Sequence, residues 1–234
     1  MKRIALTVSY PSPPSDEKDQ WRLEKYIAVA RDAGLELEPL FLDDWKANAR
    51  HAAQSFAGVI LAGGADLPTS WYDQEPLEGA GLELVSEVRP KFEREVVDEF
   101  LARDKPVLGI CYGCQFLNVY RGGALIQDID LQLPVRPEPL EHADGNIHLV
   151  RLQRDSKLFQ IIGEQEFEVP SYHHQAISRP AANSLISAVA PDGVLEAVEW
   201  GGPQWMLGVQ WHPERAPESS ATRRLMEAFA GACR

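Results

Sequence analysis

Cys111 sits between two glycines in Gly109-Ile110-Cys111-Tyr112-Gly113, where a short apolar run at 106–110 gives way to a helical pattern. The spacing is that of the G-x-S-x-G nucleophile elbow, with sulfur in place of oxygen. A nucleophile on so sharp a strand-to-helix turn is forced into strained backbone angles. Its neighbours two residues away on either side must therefore be small. Such a turn presents the thiol at the carboxyl edge of a sheet and at a helix N-terminus, which favours thiolate. It also leaves the Tyr112 N–H free to donate to an oxyanion. A second group, His212-Pro213-Glu214, follows another apolar run at 205–210. Neutral imidazole there can take a thiol proton while Glu214 fixes its tautomer, and Pro213 stiffens the turn between them. Together the two groups could carry out thiolate attack with an acid–base relay.

Other pairings of the same residue types are weaker. The pentapeptide alone also fits a buried cysteine in a tight turn. Cys111-Tyr112-Gly113-Cys114 is a C-x-x-C at a helix start, a redox spacing, but that reading leaves both glycines unexplained. Cys114 reads as a small core residue, and a regulatory disulfide to Cys111 is a minor alternative. Adjacent His173 and His174 in a strand would point oppositely, and neither an HExxH nor a paired C-x-x-C spacing is present. No metal and no cofactor are expected.

These groups need a scaffold, and β-branched runs alternate with helical patterns in the manner of stacked βαβ units. Strands are predicted over 3–8, 35–42, 57–61 and 106–110, then over 147–152, 185–190, 194–200 and 205–210. Helices are predicted over 16–33, 85–103 (with Pro90 suggesting the true start), 115–120 and 217–233. Glu93, Glu95, Asp98 and Glu99 read as a solvated helix face, and Trp200, Trp205 and Trp211 as packing residues. The Pro-rich stretch 133–140 reads as a loop, so one domain over 1–234 is expected.

Bulk composition excludes several classes. The 234 residues are 44% hydrophobic and 25% charged, the range of a globular α/β chain. A formal net charge of −12 without a basic cluster argues against nucleic acid. No apolar run approaches the roughly 18–20 residues of a membrane span, and the N-terminal segment reads as a strand, not a signal peptide. Three cysteines, Cys111, Cys114 and Cys233, do not make a disulfide framework, and a reducing cytoplasm is the expected home.

With these residues in view, the chain resembles the class I glutamine amidotransferase-like superfamily. Within it, the chain looks closest to the peptidase C26, gamma-glutamyl-gamma-aminobutyrate hydrolase-like branch. The matching pieces are Leu61-Ala-Gly-Gly-Ala-Asp66 with Trp71-Tyr72, then Val107-Leu-Gly-Ile-Cys-Tyr-Gly-Cys-Gln-Phe-Leu-Asn118 and Gly122-Gly-Ala-Leu-Ile-Gln-Asp-Ile129. Ser171-Tyr-His-His-Gln-Ala-Ile177, Asp192-Gly-Val-Leu-Glu-Ala-Val198 and Gly208-Val-Gln-Trp-His-Pro-Glu214 complete the set. The resemblance implies a flavodoxin-like three-layer α/β/α sandwich with a mostly parallel central sheet. It implies Cys111, His212 and Glu214 as a catalytic triad, with Gly63, Gly64 and the Tyr112 N–H lining the oxyanion hole. Gln115, Ser171, Tyr172 and His173 or His174 would hold the glutamyl head. The implied reaction is attack on a γ-glutamyl amide, with a thioester intermediate that water resolves to glutamate.

The chain departs from the family pattern in places. The elbow reads Cys-Tyr-Gly-Cys-Gln where many members carry C-R-G-M-Q, and Tyr112 is expected to alter the mouth of the pocket. The segment after the glycine pair, Ala65-Asp66-Leu67-Pro68, is one residue shorter before its proline than the common G-D-V-x-P. Where R-D-x-x-E is common, this chain has Arg89-Pro90-Lys91-Phe92-Glu93. Expected partners are a small γ-glutamyl substrate, no nucleic acid and no membrane, with a homodimer left open. Two other functions stay open: a glutaminase subunit passing ammonia to a synthase, and a non-catalytic binder of γ-glutamyl compounds.

Overall fold

The computed structural model describes residues 1–43 and 49–234. The first half runs β1 (Lys2–Thr7), α1 (Glu17–Asp32), β2 (Leu35–Leu40), α2 (Ala49–Ser55), β3 (Val59–Leu61), α3 (Val88–Leu101), β4 (Val107–Ile110) and α4 (Tyr112–Tyr120). Then come β5 (Ala124–Ile126), α5 (Ile129–Gln132), β6 (Asn146–Leu152), α6 (Lys157–Ile162), β7 (Glu166–Ser171) and β8 (Ala176–Arg179). The chain closes with β9 (Ser184–Val189), β10 (Leu195–Trp200), β11 (Met206–Val209) and α7 (Ser220–Ala232).

Among the described residues, nine strands form one sheet in the order β2-β1-β3-β4-β11-β10-β9-β6-β7. Pairings from β2 to β11 are parallel and those from β11 to β7 antiparallel, so β10 and β6 run against the other seven. β5 and β8 make a separate antiparallel pair.

The pleat sorts side chains between two cores. Ile4, Leu6, Ile60, Leu108 and Ile110 face one side of the sheet, where α1, α6 and α7 supply Val29, Ile162 and Phe229. Ala5, Val59, Leu61 and Val107 face the other, against α2, α3 and α4 through Ala53, Phe92 and Phe116. Strands buried on both faces need apolar residues at every position, which is why the central parallel strands β3, β4 and β11 read as unbroken apolar runs while the edge strand β2 alternates with exposed Glu36 and Glu38. The result is the expected three-layer α/β/α sandwich.

Local chemistry sets the helix ends. The Asp16 side chain accepts from the Asp19 N–H and starts α1. Pro90 lies in the first turn of α3, where a missing N–H costs nothing, so that helix starts two residues before it. α4 starts at Tyr112, three residues earlier than predicted, because the turn at Cys111 runs straight into it. α6 escaped the sequence reading although Ser156 caps it through the Phe159 N–H and Gly163 ends it at φ 72°. Six residues are too few to show a helical period.

Candidate active site

Register places the chemistry at the carboxyl ends of β3, β4 and β11. Gly109 pairs with both Leu61 and Gly208, and Ile110 with Val209. The residues just beyond these strand ends, Gly63, Cys111 and His212, therefore converge. Cys111 adopts φ 52° and ψ −108°, the strained turn expected of an elbow. A Cβ on Gly109 would stand 2.5 Å from the Gly113 carbonyl oxygen, and one on Gly113 would stand 2.2 Å from that of Leu61. Both glycines are thus required by backbone approaching backbone.

The Cys111 thiol is buried yet lines an open cleft of about 580 Å³, together with Tyr26, Gly64, Tyr172, His212 and Glu214. Gln210 Nε2 donates to its sulfur at 3.6 Å. His212 Nδ1 donates to Glu214 Oε1 at 2.6 Å, which leaves Nε2 as the second working atom of the ring. Burial alone would lower the imidazole, but the charge of Glu214 and the facing Cys111 sulfur outweigh it and hold His212 up at about 10. The pair at rest is accordingly imidazolium facing sulfur. The Tyr172 ring meets that of His212 edge-on, with centroids 5.5 Å apart. The Arg215 guanidinium covers the same tyrosine at 4.0 Å.

Gly63 packs against the site so closely that a Cβ there would lie 2.9 Å from His212 Cε1 and 3.6 Å from Cys111 Cβ. Its N–H donates to the Tyr26 hydroxyl at 3.0 Å. Burial, and after it the charge of Glu214, holds that phenol well above its ordinary value. Tyr26 was not singled out in the sequence, where it reads as one apolar position on α1.

From behind, Arg89 clamps the glycine loop. Its guanidinium donates to the Ala62 carbonyl at 2.6 Å, to that of Gly63 at 3.2 Å, and to Ser9 Oγ. Glu93 Oε1 accepts from Arg89 Nε at 3.0 Å and from Thr7 Oγ1 at 2.6 Å. Glu93 is fully buried, so the expectation of a solvated residue is corrected. It lies one turn beyond Arg89 on the face of α3 that meets the sheet. Tyr112 is corrected as well. Its ring is buried under Arg89 at 3.9 Å and stacks on Phe116, so it does not shape the mouth of the cleft.

The residues expected at the glutamyl head are spread out. Tyr172 lines the cleft. Gln115 Nε2 is committed to the Gln175 carbonyl at 3.1 Å and to Gln210 Oε1 at 3.2 Å. Ser171 Oγ donates to the His142 carbonyl at 2.7 Å. His173 is buried and turned toward Glu196, 3.5 Å away. His174 is more open and bridges Asp66 at 3.1 Å and Asp128 at 3.3 Å, which raise its basicity. Cys114 is fully buried behind the elbow, where a Cβ on Gly208 would meet its sulfur at 2.7 Å. Burial pushes its thiol well up, and all three cysteines are free thiols.

A parallel sheet with a cysteine elbow after one central strand and a His-x-Glu after the next defines the class I glutamine amidotransferase fold. The chain overlays along 99% of its length on 93% of the glutaminase domain of Trypanosoma brucei CTPS with bound acivicin (16% identical, TM-score 0.68). It also overlays along 98% of its length on 83% of a glutamine amidotransferase of Thermotoga maritima (18% identical, TM-score 0.57). Within that class the chain belongs to the peptidase C26 family, whose model matches residues 7–214. A glutamine amidotransferase-like protein of Lactococcus lactis, YvdE, is 31% identical over 91% of this chain and 89% of its own length. The gamma-glutamyl-gamma-aminobutyrate hydrolase PuuD of Escherichia coli is 33% identical over 59% of this chain and 58% of its own. The match thus spans little more than half of PuuD. Family and fold together support a hydrolase of the glutamine amidotransferase type. No described helix is long and apolar enough to cross a membrane.

Proposed function

We propose that this protein hydrolyses the γ-glutamyl amide bond of a small γ-glutamyl compound and releases glutamate and an amine. The observation that carries the reading is Cys111 at the floor of an open cleft, on a left-handed elbow beside a His212 that Glu214 holds protonated. The Cys111 sulfur attacks the amide carbon. The oxyanion that forms is met by the Gly64 and Tyr112 N–H groups, since the Gly63 N–H is engaged by Tyr26. His212 passes its proton to the departing amine, leaving a γ-glutamyl thioester and neutral imidazole. That imidazole takes a proton from water, the hydroxide displaces sulfur, and glutamate leaves with Cys111 and His212 as they began. Arg215 and Glu83 on the cleft wall offer opposite charges to the carboxylate and ammonium of the glutamyl head.

Glutamate release from a panel of γ-glutamyl amides and glutamine, with no added protein, tests the reading. Wild type turns over, Cys111→Ala loses at least about 1,000-fold, and Cys114→Ala retains activity. A wild type inert toward every member overturns it. Turnover of glutamine alone, rising in a partner's presence, would favour an ammonia-delivering subunit; two of the relatives carry glutamine amidotransferase in their names.

A further inference from the structure

Three histidines and a glutamate outside the cleft converge from four separate segments. His142 precedes β6, His148 lies in β6, His173 follows β7 and Glu196 lies in β10. All four are buried, and one ligating atom from each lies within 4.8 Å of all the others. No metal motif is legible in the sequence because no two of these residues fall at a ligand spacing on one element.

Their outer partners fix where the ring protons sit. His148 Nδ1 is 3.0 Å from the Leu149 carbonyl oxygen, and His173 Nδ1 is 2.9 Å from that of Gln175. A carbonyl can only accept, so both Nδ1 atoms carry hydrogen. His142 Nε2 lies 3.0 Å from Asp192 Oδ2, which places its hydrogen there. In the neutral rings the inner nitrogens, His142 Nδ1, His148 Nε2 and His173 Nε2, are then bare lone pairs. They stand 3.3, 3.6 and 3.5 Å from Glu196 Oε1, itself an acceptor. None of these inner atoms, nor Glu196 Oε2, makes a hydrogen bond.

Four acceptors turned on one another in a buried space are repulsive unless positive charge lies among them. A single proton on His142 Nδ1 would pair that ring with Glu196 Oε1 at 3.3 Å, but it would leave His148 Nε2 and His173 Nε2 still turned on the carboxylate without a donor, and further protons would crowd imidazolium rings whose centroids are 4.6 and 5.0 Å apart. One divalent cation supplies it at a single point. We propose that His142 Nδ1, His148 Nε2, His173 Nε2 and a Glu196 oxygen bind a zinc ion as a closed, structural site.

The ligand set and the spacing both suit zinc. Imidazole and carboxylate bind it at about 2.0–2.2 Å, and the edge of such a tetrahedron is about 3.3 Å, close to the three nitrogen–oxygen distances of 3.3, 3.6 and 3.5 Å, while the set as a whole, within 4.8 Å, would draw together around the ion. Each histidine already has the outer acceptor that metal-bound imidazoles keep, Asp192 supplying the carboxylate–histidine arrangement. Four protein ligands fill the tetrahedron, so the ion would brace the fold and not activate water. What it braces is close to the chemistry. His173 follows Tyr172, which packs on His212, and the Gln175 carbonyl that holds His173 also accepts from Gln115 on α4.

Metal analysis of the whole chain, purified without a chelating column, is the test. Wild type is expected to carry about one zinc per chain, and His148→Ala and Glu196→Gln to lose it. Because those variants could misfold, the wild-type protein is also stripped with a chelator. Its unfolding midpoint should fall, recover with one equivalent of zinc, and give four-coordinate cobalt absorption when cobalt replaces zinc. Cys111→Ala should keep its zinc while losing turnover, which separates this site from the proposed hydrolysis. Zinc lost in Cys111→Ala would move the ion to the catalytic thiol and overturn the assignment. So would stripped wild type that takes up neither metal and melts unchanged, or zinc retained in both ligand variants.

Discussion

The Tyr26 hydroxyl accepts the Gly63 N–H at 3.0 Å and faces Glu214, tying α1 to both the glycine loop and the carboxylate behind His212. One hydroxyl thus orients two parts of the site that come from opposite ends of the chain. Tyr26→Phe keeps the ring and removes that link. It leaves the Gly63 N–H unpaired, at a cost of about 1–3 kcal/mol. We expect kcat to drop by about tenfold, roughly what 1.4 kcal/mol of lost transition-state stabilisation gives, with KM little changed. Steady-state kinetics beside a thermal melt read both effects. An unaltered kcat would remove Tyr26 from any positioning role.

The His212–Glu214 pair sets a pH limit. His212 is raised to about 10, so its protonated form and the stability it brings are complete below about 6.5 and lost as pH climbs through about 10. The proposed reaction needs that proton for the leaving amine. The profile of kcat/KM should therefore descend on an alkaline limb near pH 10. Glu214→Gln removes the largest raising charge, so the limb should move to lower pH by about one unit or more. A limb that stays in place would mean another group controls it.

The parts of this fold and site that were legible in sequence depend on local spacing. Gly109, Cys111 and Gly113 act within one turn, and His212 with Glu214 within another, so each group announces itself in a few residues. The central parallel strands β3, β4 and β11 showed as apolar runs because both their faces are buried. Tyr26 and the histidine cluster were not legible, because each draws its meaning from a partner far along the chain, and Arg89 stood out only as the start of a family-like Arg-x-x-x-Glu segment, not as the clamp on the glycine loop. Glu93 looked like one more acid on a charged helix until its face proved to meet Thr7 and Arg89 beneath the sheet edge. The short α6 and the β5–β8 pair lacked the length to establish a period.

The elbow glycines differ in kind from the turn glycines. On Gly113 a Cβ would come within 2.2 Å of the Leu61 carbonyl oxygen; Leu61 cannot retreat without parting β3 from β4, nor Gly113 without lifting α4 from the elbow. Gly113→Ala should cost more than about 3 kcal/mol, the upper range of overpacking, and most of the soluble yield with it. Gly122, at φ 89° with nothing within 4 Å of a Cβ, bears only the backbone penalty. Gly122→Ala should cost about 1 kcal/mol, or 2–4 °C in Tm for a chain of this size. Similar melting temperatures for the two variants would contradict the steric account of the elbow.

Arg89 and Glu93 form a fully buried ion pair that supports the loop beside Cys111. Such a pair contributes modestly as a unit, but removing one partner strands the other charge. Arg89→Met should cost about 3–5 kcal/mol, of order 10 °C in Tm. It should also weaken catalysis, because the Ala62 and Gly63 carbonyls lose their anchor. Glu93→Gln keeps the shape and an acceptor for Thr7, and should cost less. The double variant Arg89→Met with Glu93→Gln should be more stable than the two single losses add up to, since neither charge is then left alone. A double-mutant cycle on thermal melts measures that coupling. Strict additivity would show that the two side chains act independently and that the loop is held by packing alone.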